Sequence, residues 1–241
     1  MPNSFFQFKQ FTIHQDRSAM KVTTDSCLFG AWVAEKLAKE NANNKIILDI
    51  GTGTGLLSLM VAQKINLHID AVEIDPGTFQ QASENISSTE GQNRIQVFNE
   101  DIRKYEAGNK YDYIICNPPF YENELQSPDK NRNLAHHSAA LTLEELLKII
   151  KKLLSESGRF FLLLPYKREN ELHKMFAKND VHIRQKMLVK QSVSHGYFRI
   201  MIQGSFEKSD KTEQSEIPIR DKDAQYTSEF TDLLKDYYLY L

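Results

Sequence analysis

Residues 46–55, Ile-Ile-Leu-Asp-Ile-Gly-Thr-Gly-Thr-Gly, decide how the chain is read. An apolar run holding a single acid makes a strand buried on both faces, and the glycines turn it directly into an apolar helix over residues 56–64. Glycines at such a turn let a ligand approach the backbone. The helix N-terminus behind them offers free N–H groups to a negatively charged ligand group. The spacing is G-x-G-x-G, with an acid just ahead. A dinucleotide fold prefers G-x-G-x-x-G, and a P-loop needs Lys-Ser/Thr after its last glycine, so neither pattern is met. Asp49, Gly51, Gly53 and Gly55 are therefore the first candidate ligand-binding residues.

The next strand, residues 69–74, ends in Glu73-Ile74-Asp75-Pro76. An acid at the end of a second strand accepts both hydroxyls of a ribose. Glu73 is the first choice for that role, because Asp75 lies past the strand in the turn with Pro76. A helix over 77–87 leads to a third strand, 94–98, which ends at Asn99-Glu100-Asp101-Ile102. Asp101 is the candidate partner of an adenine amine, with Ile102 against the ring; the plainer reading is an exposed loop carboxylate.

The fourth strand, 111–116, runs into Asn117-Pro118-Pro119-Phe120. Two successive prolines supply no N–H, and each bars the residue before it from the helical region. The carbonyls around Asn117 and Pro118 are therefore left to point outward, Asn117 adds a side-chain acceptor, and Phe120 adds an aromatic face. Two acceptors beside a stacking ring suit a planar amine: adenine N6, cytosine N4, guanine N2 or a glutamine amide. Taken alone, Asn-Pro is equally a strand-ending turn. Four polar edges at the carboxyl ends of successive strands favour the site over the turn.

The remaining segments frame this centre. Residues 5–14 alternate apolar and polar like a short hairpin or edge strand. Thr23-Thr24-Asp25 supplies N-cap candidates for a helix over 26–39 with Leu28, Trp32 and Leu37 inward. Residues 121–140 are polar and nearly patternless, as a mobile substrate loop would be. Thr142 and Glu145 form a capping box for a helix to about residue 155, closed by Gly158. A strand over 160–164 and a helix over 168–178 follow, and then 181–189 and 197–203 read as an antiparallel pair. Residues 205–219 read as loose polar chain, and 226–241 as a terminal helix.

Strands alternating with helices from 46 to 178 make an α/β fold. The expected architecture is a Rossmann-like, mainly parallel seven-stranded sheet with one antiparallel strand and helices on both faces. All 241 residues read as a single domain: an N-terminal hairpin and helix (1–40), a core (45–204) and a C-terminal extension (205–241). With 41% apolar and 26% charged residues the composition is that of an ordinary globular protein. No apolar run is long enough to cross a membrane and no secretory signal is evident. Cys27 and Cys116, solitary and far apart, read as packing thiols of a cytosolic protein. The adjacent pair His136-His137 cannot share a helix face, so no metal site is expected. Residues 148–204 carry twelve Lys/Arg against four acids, a net +8 on a chain of net −2. Such a region reads either as a phosphate-binding face or as the solvated side of helices.

With these motifs in order and at these spacings, the chain resembles the Rossmann-like S-adenosylmethionine-dependent methyltransferases. The N-P-P-F form marks those that methylate planar exocyclic amines. More narrowly, residues 8–33 (FKQFTIHQDRSAMKVTTDSCLFGAWV) and 219–241 (IRDKDAQYTSEFTDLLKDYYLYL) resemble the bacterial tRNA(Val) adenine-37 N6-methyltransferases. The resemblance implies S-adenosyl-L-methionine as cofactor, held by Thr24 and Asp25 at its methionine end and by Asp49, Gly51, Gly53, Gly55, Glu73, Asp101, Ile102 and Asn117. It implies Asn117, Pro118 and Phe120 as the catalytic set. The partner it implies is the anticodon loop of tRNA, with residues 148–204 and the 121–140 loop (Lys130, Arg132, His136, His137) on its phosphates. Ribosomal-RNA adenine or guanine N-methylation and release-factor glutamine N5-methylation are the rival activities. The release-factor enzymes carry a longer helical domain ahead of the glycine loop than the fifty residues found here. A non-catalytic RNA-binding module is disfavoured by the intact acids, and a dehydrogenase by the glycine spacing.

Overall fold

The computed structural model describes residues 3–18, 20–90, 93–119, 141–209 and 211–241. A hairpin of β1 (Phe5–Gln7) and β2 (Thr12–His14) precedes α1 (Thr24–Lys39). Two strand–helix units follow, β3 (Ile46–Ile50) with α2 (Leu56–Lys64) and β4 (His68–Glu73) with α3 (Pro76–Ser87), and then β5 (Ile95–Asn99) leads to β6 (Tyr111–Cys116). Next come α4 (Leu143–Leu153), β7 (Leu154–Pro165), α5 (Glu169–Lys178), β8 (His182–Ser192), β9 (Tyr197–Ser205), β10 (Glu213–Arg220) and α6 (Ser228–Leu234). The sheet order is β10-β8-β9-β7-β6-β3-β4-β5. Only β9 runs against its neighbours. The chain leaves β3 toward β4 and β5, then returns to place β6 on the other side of β3. The strand order therefore reverses between β3 and β6, where open sheets of this kind bind ligands.

Successive side chains of each strand point to opposite faces, so one strand serves two cores. Ile47, Ile69, Ile115 and Phe161 pack with Leu28, Trp32, Leu57 and Met60 from α1 and α2. Leu48, Ile114, Phe160 and Leu162 pack with Leu146, Ile150, Leu172 and Phe176 from α4 and α5. Helices α1 and α2 lie so close that a Cβ on Gly30 would sit 2.7 Å from Met60 Sδ. No described helix is long and apolar enough to cross a membrane.

The structure corrects the sequence reading at three places. The sheet has eight strands among the described residues, not seven, because 213–220 pairs parallel with β8 from Glu213↔Gln185 to Arg220↔Ser192. Only Ile217 and Ile219 of that strand are buried; at an edge the other residues face water, and Pro218 forfeits no ladder bond on the outer side. The terminal helix covers only Ser228–Leu234, capped by Thr227, after which Tyr237 folds back and donates its hydroxyl to the Met60 carbonyl at 2.9 Å. Gly158 does not close α4. The chain passes from Leu153 straight into β7, and Gly158 lies inside that strand, where a Cβ would meet Leu154 Cγ at 2.6 Å. The capping box of Thr142 and Glu145, the N-terminal hairpin and the antiparallel pair of β8 and β9 stand as read.

Candidate active site at the carboxyl rim of the sheet

Register places the candidate residues side by side. Ile50 pairs with Cys116 on one side and Val72 on the other, so Gly51, Asn117 and Glu73 emerge at one level from adjacent strands. Glu73 in turn pairs with Asn99, which brings Asp101 to the same edge. Neighbouring strands lie about 4.8 Å apart, so this rim spans the width of a nucleoside.

The glycine loop is held by its own backbone. Gly51 and Thr52 donate N–H bonds to the Val72 carbonyl at 2.9 and 3.1 Å. Gly51, Gly53 and Gly55 all take positive φ (66°, 60° and 83°), the left-handed region that costs other residues about 1–2 kcal/mol. A Cβ on Gly51 or Gly53 would meet no protein atom closer than 4.0 Å, so the loop faces open space on the ligand side. Gly55 is the N-cap of α2 and packs against Ile86.

Glu73 is almost wholly buried, and its two oxygens each accept one backbone N–H, from Gly53 and Asp75, both at 3.0 Å. Two such bonds orient the carboxylate and leave lone pairs on both oxygens for a vicinal diol. Burial pushes its pKa up, against the pull of those N–H bonds. Asp75 instead serves as the N-cap of α3, accepting from Thr78 N at 2.8 Å, a bond that holds its pKa down. Ile74, between them, is half exposed at the rim and offers a ring an apolar contact.

Asp49 is fully buried, with Oδ2 accepting from the Thr52 and Ser58 hydroxyls, both at 2.7 Å. Its Oδ1 has no hydrogen-bond partner among the described residues. Desolvation pushes its pKa up to about 6, the two hydroxyls partly offsetting the rise. Asp101 keeps less capacity for a ligand than the sequence suggests. Arg103 donates to it from its backbone N–H at 3.0 Å and from Nε at 2.9 Å, and holds its pKa down. Ile102 is half buried against the second core.

Asn117 is half buried and Pro118 buried at the end of β6. Cys116, beside them, is fully buried with its thiol pKa pushed well up, so it is packing and not a nucleophile. Phe120 and the 121–140 loop lie outside the described residues. Thr24 and Asp25 form the first turn of α1 behind the Thr23 cap, and Asp25 Oδ2 accepts from Arg199 Nε at 2.7 Å. The sequence reading missed two polar residues that hold the site. Asn85, fully buried on α3, bonds the His14 backbone N–H and carbonyl at 3.0 and 2.9 Å and the Thr54 carbonyl at 2.9 Å. It ties the N-terminal hairpin to the glycine loop. Asn99 donates to the Glu73 carbonyl at 2.9 Å. An isolated amide in an ordinary helix or strand leaves no pattern to find.

Many of the basic residues of 148–204 are paired with acids, several of them outside that segment. Arg159 pairs with Glu40, Lys178 with Glu144, Arg184 with Glu207, Lys190 with Glu216 and Arg199 with Asp25. The local excess of +8 is therefore largely neutralised in three dimensions.

A glycine loop in left-handed conformation, an oriented buried carboxylate and an Asn-Pro edge at one switch point define a Rossmann-like methyltransferase. The family described as methyltransferase small domain matches residues 30–187. The tRNA1(Val) (adenine(37)-N6)-methyltransferase of Dyadobacter fermentans is 40% identical, with 98% of each chain covered. That of Parabacteroides distasonis is 36% identical over 99% of each. The chain belongs to this family of tRNA1(Val) (adenine(37)-N6)-methyltransferases. Among solved structures, a predicted O-methyltransferase from Agrobacterium tumefaciens matches with a TM-score of 0.64 at 14% identity, over 88% of this chain and 96% of that one. The M. jannaschii tRNA m1G37 methyltransferase matches at 0.62 and 16%, over 87% of this chain and 59% of that one. Those two likenesses concern the fold.

Proposed function

We propose that the chain transfers a methyl group from S-adenosylmethionine to the exocyclic N6 amine of adenine 37 in the anticodon loop of tRNA(Val). The observation that carries the reading is the common level of Gly51, Glu73 and Asn117 at the switch point, on a chain alignable end to end with relatives of that name. The cofactor supplies a methyl group made electrophilic by its sulfonium. The residues present fit it: Glu73 would accept the ribose hydroxyls, the open glycine loop leaves room beside the backbone, and Ile74 and Ile102 would offer apolar contacts to the ring. Asp49, through its unpartnered Oδ1, is an acceptor for a donor brought in by the ligand or a water.

The N6 amine of adenine is a poor nucleophile because its lone pair is delocalised into the ring. Asn117 Oδ1 and the Pro118 carbonyl each accept one amine hydrogen, which draws the nitrogen toward sp³ and frees the lone pair. The new N–C bond forms as the S–C bond breaks, and the resulting ammonium gives its proton to water. No strong general base is required; the residues act by positioning. Phe120 is assigned to stack on the adenine, worth about 1–3 kcal/mol. The target is cheap to unstack in a loop. The same reading assigns the 121–140 loop and cations within 148–204 to the anticodon arm, and places the protein in the cytoplasm.

The test is transfer of labelled methyl from S-adenosylmethionine to unmodified tRNA, with ribosomal RNA and a release factor in parallel. N6-methyladenosine in tRNA is expected. Label confined to either of the other substrates overturns the assignment.

A further inference from the structure

A cleft of about 570 Å³, lined by none of Gly51, Glu73 and Asn117 but reaching Thr24 and Asp25, opens between the first turn of α1, the turn joining β8 to β9, and the segment from β10 to α6. Its position follows from register. Pairing carries the level of Asn117 across the sheet through Leu163 and Met201 to Met187 on β8 and Ser215 on β10. Strands β8 and β10 continue five residues past that level, to Ser192 and Arg220, about 16 Å at the strand rise. They form a wall standing above the reaction rim, set about 14–19 Å to one side of β6 by three to four strand spacings. The cleft is at the top of that wall.

Its lining combines aromatic rings with cations. Arg220 lies over the Tyr226 ring, its Cζ 4.5 Å from the centroid, and Tyr226 stacks on Phe230 at 4.6 Å and 15°. Phe198 also lines the cleft, with the Arg199 guanidinium, outside the lining, 5.4 Å from its ring centroid. Lys222 and His195 stand exposed at the lip. The two acids of the lining are already engaged: Asp25 by Arg199, and Asp221 by the N–H groups of Asp223 and Gln225 in its own turn. Tyr226 also borders a second hollow of about 320 Å³ where Phe5, Tyr238 and Tyr240 are grouped, the last 91% exposed. Rings alternating with guanidinium and ammonium groups along a groove are how proteins hold single-stranded nucleic acid, by stacking bases and neutralising phosphates. The volume lies within the about 300–1,000 Å³ usual for small-ligand pockets, room enough for a nucleotide.

We infer that this cleft is a second RNA subsite, taking an unstacked nucleotide of the same single strand a few nucleotides from the methylated adenine. The inference rests on the tRNA reading above. The base stacks on the outer face of the Arg220 guanidinium, which Tyr226 backs, and its phosphate meets Lys222 and His195. Asp25, held by Arg199 from behind the lining, joins this subsite to the first turn of α1.

The test measures tRNA binding without turnover, alongside kinetics and cofactor affinity, for Lys222→Ala, Tyr226→Leu and the distant control Lys39→Ala. Lys222→Ala should weaken tRNA binding severalfold and lower the slope of log K against log salt by about 0.7–0.9. Tyr226→Leu should weaken it about fivefold or more. In both, KM for tRNA rises while kcat and S-adenosylmethionine affinity stay within about twofold; Lys39→Ala behaves as wild type. Unchanged tRNA affinity and salt slope in Lys222→Ala and Tyr226→Leu overturn the subsite. Failure of the tRNA-methylation reading looks different: wild-type protein transfers no methyl to tRNA, whatever the variants do to RNA binding.

Discussion

Replacing Asp49 with Asn should change how stability depends on pH. Asp49 is fully buried, and its pKa stands at about 6 against an ordinary 3.8. The folded state therefore takes up the proton before the unfolded state does. Stability from this group rises as pH falls through 6 and levels off below about 3.8, the whole span amounting to roughly 3 kcal/mol. Between pH 7 and pH 5 the gain is about 1.3 kcal/mol. Asn keeps the shape and does not titrate, and the Thr52 and Ser58 hydroxyls can rotate to suit its amide. Urea unfolding of both proteins at pH 5, 6, 7 and 8 reads the effect directly. The stability of the Asp49→Asn variant relative to wild type should be greatest at pH 7–8 and fall by about 1.3 kcal/mol at pH 5. Parallel curves for the two proteins would refute a carboxylate strained by burial.

Asn117→Ala should lower kcat by about 100-fold or more while S-adenosylmethionine affinity, read by calorimetry, stays within about twofold. A parallel loss of cofactor binding would remove Asn117 from the amine. Glu73→Gln loses the charge and one of the two acceptors that face Gly53 and Asp75, so cofactor Kd should rise about tenfold with little change in kcat at saturation. Asn85→Ala leaves the His14 backbone and the Thr54 carbonyl without their partners. It should cost about 2 kcal/mol or more in urea unfolding, and a loss below about 0.5 kcal/mol would show the clamp to be idle.

Legibility in the sequence tracked how local the physical cause was. The glycine loop, the acid ending β4 and the Asn-Pro edge were readable because each imposes a backbone or chemical demand within a few residues. Their convergence was readable because alternating strands and helices permit few topologies. Strand β10 was not, since it is an edge whose only apolar residues besides a proline, Ile217 and Ile219, flank that proline; its pairing is decided by β8, some thirty residues away. The charge count was incomplete for the same reason. A run of cations counted along the chain cannot show that Glu40, Glu144, Glu207 and Glu216 fold back onto it. Charge available to RNA is what remains after folding, and on this wall it remains with Arg220, stacked on Tyr226, and with Lys222 at the lip above it. A guanidinium on an aromatic face keeps donors for phosphate and presents a flat surface to a base, whereas one held by a carboxylate, as Arg199 is by Asp25, has committed its donors. Arg220 gives one donor to the Ala224 carbonyl and keeps the rest, so cations beside rings and not held by carboxylates, more than net charge, point to where the strand should lie.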